Sequence, residues 1–143
     1  MADLPYVDAH DVPVRAPRAA VWTALVGTLG GDLGRHSTFA RVLGCDPAEL
    51  SPDFAGEVGQ TIPGFRVAQS EPGHRLELVG RHRFSRYRLT FVITDDVLRA
   101  ETHAEFPGVH GRLYRAAVIG SRGHVVLTRR MLRTIAAHAG ALA

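Results

Sequence analysis

Three side chains in the sequence could take part in acid–base chemistry or orient a polar group: His82, Tyr87 and His124. His82 points to the covered side of a predicted strand if the alternation of Leu76 and Leu78 continues, and an unperturbed imidazole titrates near neutral pH. The alternative for His82 is a hairpin residue in solvent. His124 lies on an apolar helical face. It is either a polar group of a pocket or a hydrogen-bonded residue of the core. The Tyr87 hydroxyl could contact a ligand, although its ring would fill a core equally well.

Metal and cofactor sites are not indicated. The eight histidines form no compact cluster and no pair one turn apart on a helix, and the single Cys45 has no partner for a disulfide or a zinc site. No glycine-rich phosphate loop or nucleophile elbow is present. Asp8 and His10 share one face of the first predicted strand and either pair with each other or lie on the surface. The sequence predicts no metal and no cofactor.

Length and composition indicate one globular domain over residues 1–143. Hydrophobic residues make up 45% of the chain and charged residues 22%, which is ordinary for a folded protein. A chain of this length buries roughly 70% of its surface, so one core can form beside an internal pocket. No apolar run is long enough for membrane insertion, and no secretory signal is evident at the N-terminus. We therefore expect a cytoplasmic protein.

The charge pattern argues against a nucleic-acid partner. The sequence pI is near 9.7, yet 17 arginines and no lysine face 14 acidic residues, so the formal charge is only +3. Arginine does not lose its proton, which raises the pI without a large basic excess. The arginines are spread from Arg15 to Arg133, whereas a nucleic-acid interface concentrates them on one face.

The first half of the chain contains a strand, two helices and a loop. Residues 6–15 predict a strand with Pro13 at a sheet edge. A helix follows Pro17, with its apolar stripe ending before the glycine pair at residues 30–31. A second short helix is predicted over residues 37–43. Residues 44–64 are rich in Gly, Pro and Asp and predict a loop with one short strand near residues 57–62.

Residues 65–106 change to an alternating pattern, which predicts antiparallel strands with one covered face and one wet face. Tyr87, Leu89 and Phe91 share the covered face of one strand. On the wet face, a hairpin near residues 95–96 brings Arg88 opposite residues 101–105. The predicted cross-strand charge pairs contribute roughly 0.2–1 kcal/mol each.

From residue 109 to residue 138 the period is helical, and the pattern predicts one long amphipathic helix. Its stripe includes Leu113, Leu127 and Ile135. Gly120 and Gly123 each cost about 1 kcal/mol inside a helix. We expect either a kink at these glycines or a ligand close to the backbone.

The order of elements, with the segment VPVRAPRAAVW at residues 12–22, resembles the START-like superfamily, also called SRPBCC. That family includes polyketide-cyclase and lipid-transfer proteins, and it often has a small residue and proline before Val-Trp or Val-Phe at this point. The resemblance covers nearly the whole chain. It implies an α+β helix-grip fold, with a curved antiparallel sheet wrapped around a long C-terminal helix and two short helices after the first strand.

The resemblance also implies a cavity between the sheet and the C-terminal helix. Such pockets hold about 300–1,000 Å³ and are mostly apolar. The predicted ligand-binding residues lie on covered strand faces or on the helical stripe: Phe84, Tyr87, Leu89, Phe91, Thr102, Ala104, Phe106, Leu113, Ala117, Gly120 and His124.

Three functions remain open at this point. The first is a carrier or sensor that binds a small hydrophobic molecule, similar to a lipid, an isoprenoid or a polyketide. The second is a polyketide cyclase or dehydratase that uses the same cavity, with His82, His124 and Tyr87 as candidate catalytic residues. The third is a homodimer formed through Val118, Val125 and Leu132, which recur every seven residues. The alternative for that stripe is packing within the chain.

Overall fold

The architecture is an antiparallel sheet with helices packed on one face. The structure is a computed structural model and describes residues 4–31, 44–83, 85–116 and 122–142. Its elements are β1 (Tyr6–Pro13), α1 (Arg18–Gly31), β2 (Thr61–Ile62), β3 (Phe65–Glu71), β4 (Arg75–His82), β5 (Ser85–Ile93), β6 (Val97–Glu105), α2 (Gly108–Arg115) and α3 (Gly123–Leu142). The six strands form one curved, open sheet in the order β1-β6-β5-β4-β3-β2. The predicted α+β helix-grip fold is confirmed.

The N-terminal strand and helix agree with their predictions. Among the described residues β1 pairs with β6 alone, which makes it an edge strand. This position suits Pro13, because proline has no N–H to donate to a second neighbour. α1 begins directly after Pro17, whose carbonyl accepts a hydrogen bond from the backbone N–H of Val21 at 3.1 Å. The helix buries Leu25 and Leu29 against the sheet.

The structure of the segment between α1 and β3 agrees with the sequence prediction only in part. The predicted helix over residues 37–43 lies outside the described residues. Of the predicted strand near residues 57–62, only the two residues of β2 pair, and they pair with β3. The preceding loop is tied to β4 by reciprocal backbone hydrogen bonds between Asp46 and Arg81, at 2.8 and 3.2 Å.

Strand register follows the predicted faces. Leu89 pairs with Thr102, and Phe91 pairs with Ala100 on one side and Leu76 on the other. All five residues are buried. Because successive side chains point to opposite faces, this register places the whole alternating set on the face that the helices cover.

The wet-face charge pairs differ in detail from the prediction. Arg88 faces His103 directly, and its guanidinium pairs with Glu77 on β4 at 3.4 Å. The ion pair across the β5–β6 hairpin is made by Arg86 with Glu105, at 3.6 Å. Arg86 and Glu105 are directly opposed in the register, so their side chains meet across the hairpin.

The C-terminal helical region consists of two described helices, and the prediction of one long helix is wrong at one point. Arg122 has a φ of 62°, a left-handed conformation that an α-helix does not contain. Gly123 starts α3, whereas Gly120 lies outside the described residues. α3 alone extends over 20 residues and is the long C-terminal helix of the fold.

The buried faces of the two helices also differ from the predicted stripe. Leu113 is 65% exposed and Leu127 is 67% exposed, although both belong to the predicted stripe. α3 instead buries Thr128, Leu132, Ile135 and Ala139. The predicted dimer stripe is therefore wrong at Leu132, whose side chain lies in the core of the chain. Val125 is half-buried, and Val118 is outside the described residues.

Helices α1 and α3 pack against each other over the covered face of the sheet, and α3 also contacts β1 and β6. In the described ranges, no helix combines the length and the apolarity that crossing a membrane requires.

Candidate functional site

A cavity of about 250 Å³ lies between the covered face of the sheet and the helices α2 and α3. The sheet provides most of its walls, and each of the two helices adds one aromatic or imidazole ring. The lining is mostly apolar. The described residues that line it are Val7, Phe65, His82, Ser85, Tyr87, Arg88, Leu89, Thr102, Ala104, Phe106, Tyr114 and His124.

The Tyr87 side chain is held by the loop that crosses the end of β4. Its hydroxyl donates a hydrogen bond to the carbonyl oxygen of Gly64 at 2.7 Å, and the ring packs edge-on against Phe65 with 5.1 Å between centroids. Burial raises the pKa of Tyr87 far above its usual value. The hydroxyl is therefore neutral, and its only proton is already donated, so Tyr87 can offer a ligand a hydrogen-bond acceptor.

Gly80 creates the space that Tyr87 occupies. The two residues are directly paired between β4 and β5. A Cβ atom on Gly80 would lie 2.8 Å from Cε2 of Tyr87 and would also collide with the Gly64 carbonyl. Gly64 itself is fixed by its N–H, which donates to the carbonyl of Pro47 at 2.7 Å. The backbone segments at Gly80, Gly64 and Pro47 thus approach one another closely, and this approach sets how deep the cavity is at the Tyr87 end.

His82 is a neutral imidazole between two tyrosine rings. Its Nε2 lies 3.1 Å from Oγ of Ser85, and its ring makes an edge contact with Tyr114 at 4.7 Å between centroids. Burial lowers the pKa of His82 from its ordinary value of 6.5. At neutral pH the ring therefore has one donor and one acceptor nitrogen. Of the two positions that the sequence left open for His82, the structure has the one on the covered side, where the ring lines the cavity.

His124 enters the cavity from the first turn of α3 and is bound to the sheet by Asp8. Its Nε2 is 3.2 Å from one carboxylate oxygen of Asp8, while the other oxygen lies 3.0 Å from Nε2 of His10. The Asp8 carboxylate therefore contacts two imidazoles, and its contact with His124 joins β1 to α3. This contact decides the earlier alternative: Asp8 and His10 are paired, and both side chains are largely buried.

The cavity contains little formal charge. Burial raises the pKa of Tyr114, so both tyrosines and His82 are uncharged at neutral pH. The guanidinium of Arg88 is paired with Glu77. The hydroxyl of Thr102 is buried and has no hydrogen-bond partner in the described chain. Such a site favours an uncharged apolar body over an anion or a cation.

The described ranges contain no group of three His, Cys, Asp or Glu side chains placed to hold a metal ion. Cys45 is near Tyr87, and burial raises the pKa of its thiol. A protonated thiol is a poor nucleophile and a poor metal ligand.

Comparison with known proteins gives structural matches only. No family model and no curated protein matches the sequence. The solved structure of CV1439 from Chromobacterium violaceum is 14% identical, with a TM-score of 0.56 over 93% of this chain and 96% of that one. DynU16, a protein of the dynemicin biosynthetic locus, is 20% identical, with a TM-score of 0.52 over 93% of this chain and 47% of that one. Ara h 8.0201 is 9% identical, with a TM-score of 0.50 over 94% and 97%.

The fold is START-like. At these sequence identities the similarity concerns the fold alone, and it agrees with the resemblance noted in residues 12–22. The cavity found here lies between sheet and C-terminal helix, where the START-like resemblance places it.

Most of the predicted site residues that the structure describes line this cavity: Tyr87, Leu89, Thr102, Ala104, Phe106 and His124, together with His82. Phe91 does not, because it lies one pair further along β5, where it is fully buried in the core. Leu113 does not, because α2 turns it to solvent. Phe84, Ala117 and Gly120 lie outside the described residues.

Sequence reasoning missed five residues that line the cavity, one of which, Arg88, had been assigned to the wet face of its strand. Ser85 has the same strand phase as Tyr87, and Phe65 has the phase of the buried Val67, so alternation could have identified both. Val7 required the pairing of β1 with β6. Tyr114 is next to Leu113 and was missed because the apolar residues Val109 and Leu113, which set the predicted stripe, face solvent in α2.

Proposed function

We propose that the protein binds a compact, uncharged and mostly apolar small molecule in the cavity between the sheet and helices α2 and α3, as a carrier or sensor. The observation that carries this proposal is the lining itself, in which aliphatic and aromatic walls enclose the neutral rings of His82, Tyr87 and Tyr114. The START-like fold supports a ligand-binding role in general. It does not identify the ligand.

The volume narrows the class of ligand. At about 250 Å³, the cavity is smaller than the ~300–1,000 Å³ of typical drug-sized pockets. A fused-ring polyketide fragment or a short isoprenoid fits this size, whereas a two-chain lipid does not. The neutral polar groups suit a ligand with a few oxygen atoms, because each buried hydroxyl or carbonyl must find a partner.

Two measurements test this proposal. Native mass spectrometry of the freshly purified protein should detect a bound apolar molecule, and a fluorescent naphthalene probe should bind and be displaced by it. Ala104→Phe places a ring inside the cavity and should weaken probe binding at least tenfold, because the lost volume excludes the probe.

The matched control is Ala137→Phe, which adds the same ring on the exposed side of α3 and should leave probe binding unchanged. Equal probe affinity in wild type and Ala104→Phe would show that the cavity is not the binding site.

A second candidate function has one observation in its favour. His82, Tyr87 and His124 converge on one cavity, which a cyclase or dehydratase with acid–base groups requires. Of these, His82 suits the role of base because it is neutral, and His124 has a carboxylate at Nε2. Tyr87 suits a positioning role, because its proton is already donated to Gly64.

The enzymatic function is tested by supplying a linear small molecule with alternating ketone groups, the substrate class of cyclases. Loss of turnover in both His82→Ala and His124→Ala, with probe binding retained, would support catalysis. Retained turnover in the double variant would exclude the two histidines as catalytic residues, and recovery of an unaltered ligand from cells would favour the carrier.

A further inference from the structure

Formal charge is divided unequally along the chain. All 14 acidic residues lie between Asp3 and Glu105, together with 11 arginines, which gives this part a formal charge of −3. Residues 106–143 contain six arginines and no acidic residue, which gives +6. The modest total of +3 therefore hides a strongly basic C-terminal region, which comprises α2 and α3.

These six arginines are exposed and unpaired. They are Arg112, Arg115, Arg122, Arg129, Arg130 and Arg133. None of them makes an ion pair or a side-chain hydrogen bond with the residues that the structure describes. By contrast, five arginines of the sheet and α1 have a carboxylate partner: Arg18, Arg81, Arg86, Arg88 and Arg99. The charge on the helices is thus available to an anionic partner.

Large apolar side chains are exposed on the same two helices. Val109 and Leu113 are one turn apart on α2, and they are 70% and 65% exposed. Val126 and Leu127 lie in the first two turns of α3, and they are 60% and 67% exposed. Four such residues lie among unpaired arginines along the two helices, a combination of the kind that enters the interface between lipid headgroups and acyl chains.

The surface borders the cavity. Tyr114 of α2 and His124 of α3 line the cavity from the inner sides of the helices, while Leu113 and Val126 point outward only one or two residues away. A body that contacts the outer sides of α2 and α3 therefore lies close to the cavity.

We propose that α2 and the first half of α3 form a docking surface for anionic phospholipid membranes. The arginines bind the headgroup phosphates, and Leu113 and Leu127 enter the interface between headgroups and acyl chains. The contact is peripheral, and the fold remains outside the bilayer. Docking of this kind would let an apolar ligand pass between membrane and cavity without crossing water, but the docking itself does not depend on the identity of a ligand.

Two other occupants fit the observations less well. A second copy of the chain would oppose six unpaired positive charges with six more. The phosphates of a nucleic acid would pair with the arginines, but its polar surface would not bury four exposed aliphatic side chains. The apolar residues therefore favour a lipid surface over a nucleic acid.

The test is flotation of the full-length protein with vesicles of phosphatidylcholine and phosphatidylglycerol, compared with vesicles of phosphatidylcholine alone. We expect binding to the mixed vesicles only, with weaker binding at high salt. Arg130→Glu combined with Arg133→Glu should weaken binding at least about tenfold, since each basic residue near an anionic surface contributes about 1 kcal/mol. Leu113→Ser combined with Leu127→Ser should also weaken it, including at high salt.

The control is Arg15→Glu combined with Arg66→Glu, which changes net charge equally at exposed positions outside the docking surface and should bind as wild type does. Equal binding to both vesicle types, no binding, an equal loss in the control, or no effect of the leucine variant would each overturn the proposal. So would duplex DNA that binds the protein and displaces it from the mixed vesicles. Because the readout is membrane binding, it is independent of the naphthalene probe that tests the proposed function.

Discussion

At the scale of single residues, the position of Tyr87 depends on a residue that has no side chain. Tyr87 reaches the Gly64 carbonyl only because Gly80, its partner across the strands, leaves room for the ring. The sequence identified Tyr87 by alternation, but no pattern connected it to Gly80 or Gly64. Those contacts arise from the path of the loop before β3, and a loop path depends on tertiary packing more than on local periodicity.

We expect Gly80→Ala to lower the free energy of unfolding by about 1–3 kcal/mol, because the new methyl group forces Tyr87 and the Gly64 carbonyl apart. The comparison is with Gly27→Ala, at an exposed position in α1 where a Cβ meets nothing within 4 Å and helix propensity should raise stability by up to about 1 kcal/mol. Denaturant unfolding measures both. Equal stability of Gly80→Ala and wild type would contradict the close approach.

His82 makes stability depend on pH. Its pKa is lowered by burial from 6.5 in the folded chain, so in a window just below pH 6.5 the unfolded chain binds a proton that the folded chain does not. The free energy of unfolding therefore falls as pH falls through this window toward the lower folded pKa. We expect a weaker pH dependence in His82→Gln than in wild type. His138→Gln, on the exposed side of α3, controls for loss of an imidazole, and identical pH profiles for His82→Gln and wild type would disprove this assignment.

At the scale of elements, strands were more predictable than helices. A strand's side-chain period is two, so a buried face can be read from a few residues, and the pairing of Phe91 with Ala100 follows. A helix requires a constant phase over many residues, and the chain leaves the helical conformation at the left-handed Arg122. The predicted stripe is already wrong before that point, because Val109 and Leu113 of α2 face solvent while Tyr114 lines the cavity. Arginine gives no sequence signal for a left-handed conformation, which is why the break was expected at glycines.

The division between α2 and α3 can be tested by the sign of one substitution. In a left-handed conformation glycine is free of the steric cost that a Cβ imposes, so Arg122→Gly should raise the free energy of unfolding by about 1 kcal/mol. Inside a continuous helix the same change would lower it by about 1 kcal/mol. Thermal and denaturant unfolding of Arg122→Gly, beside Arg122→Ala, distinguish the two cases, and a less stable glycine variant would restore the single long helix.

At the scale of the whole molecule, the net charge conceals how the charges are distributed along the chain. The formal charge of +3 argued against a polyanionic partner, whereas the division of that charge between sheet and helices supports a membrane surface. The cavity likewise has one property that the sequence predicted and one that it did not. Its presence followed from the resemblance to the START-like fold, but its volume is set by how far Tyr87, Tyr114 and Phe106 fill it, and no sequence pattern measures that filling.

The small volume makes a prediction about which ligands stabilise the protein. A compact bicyclic aromatic ligand that fits within about 250 Å³ should raise the melting temperature, and at a hundred times its dissociation constant the gain of about 2.7 kcal/mol corresponds to a shift on the order of 10 °C. A long-chain fatty acid at equal concentration should cause little shift, because its chain exceeds the cavity and its carboxylate meets no unpaired cation among the residues that line it. Ala104→Phe should remove the shift caused by the aromatic ligand. A fatty acid that stabilises the wild-type protein as strongly as the aromatic ligand would mean that helices α2 and α3 separate to admit a longer chain.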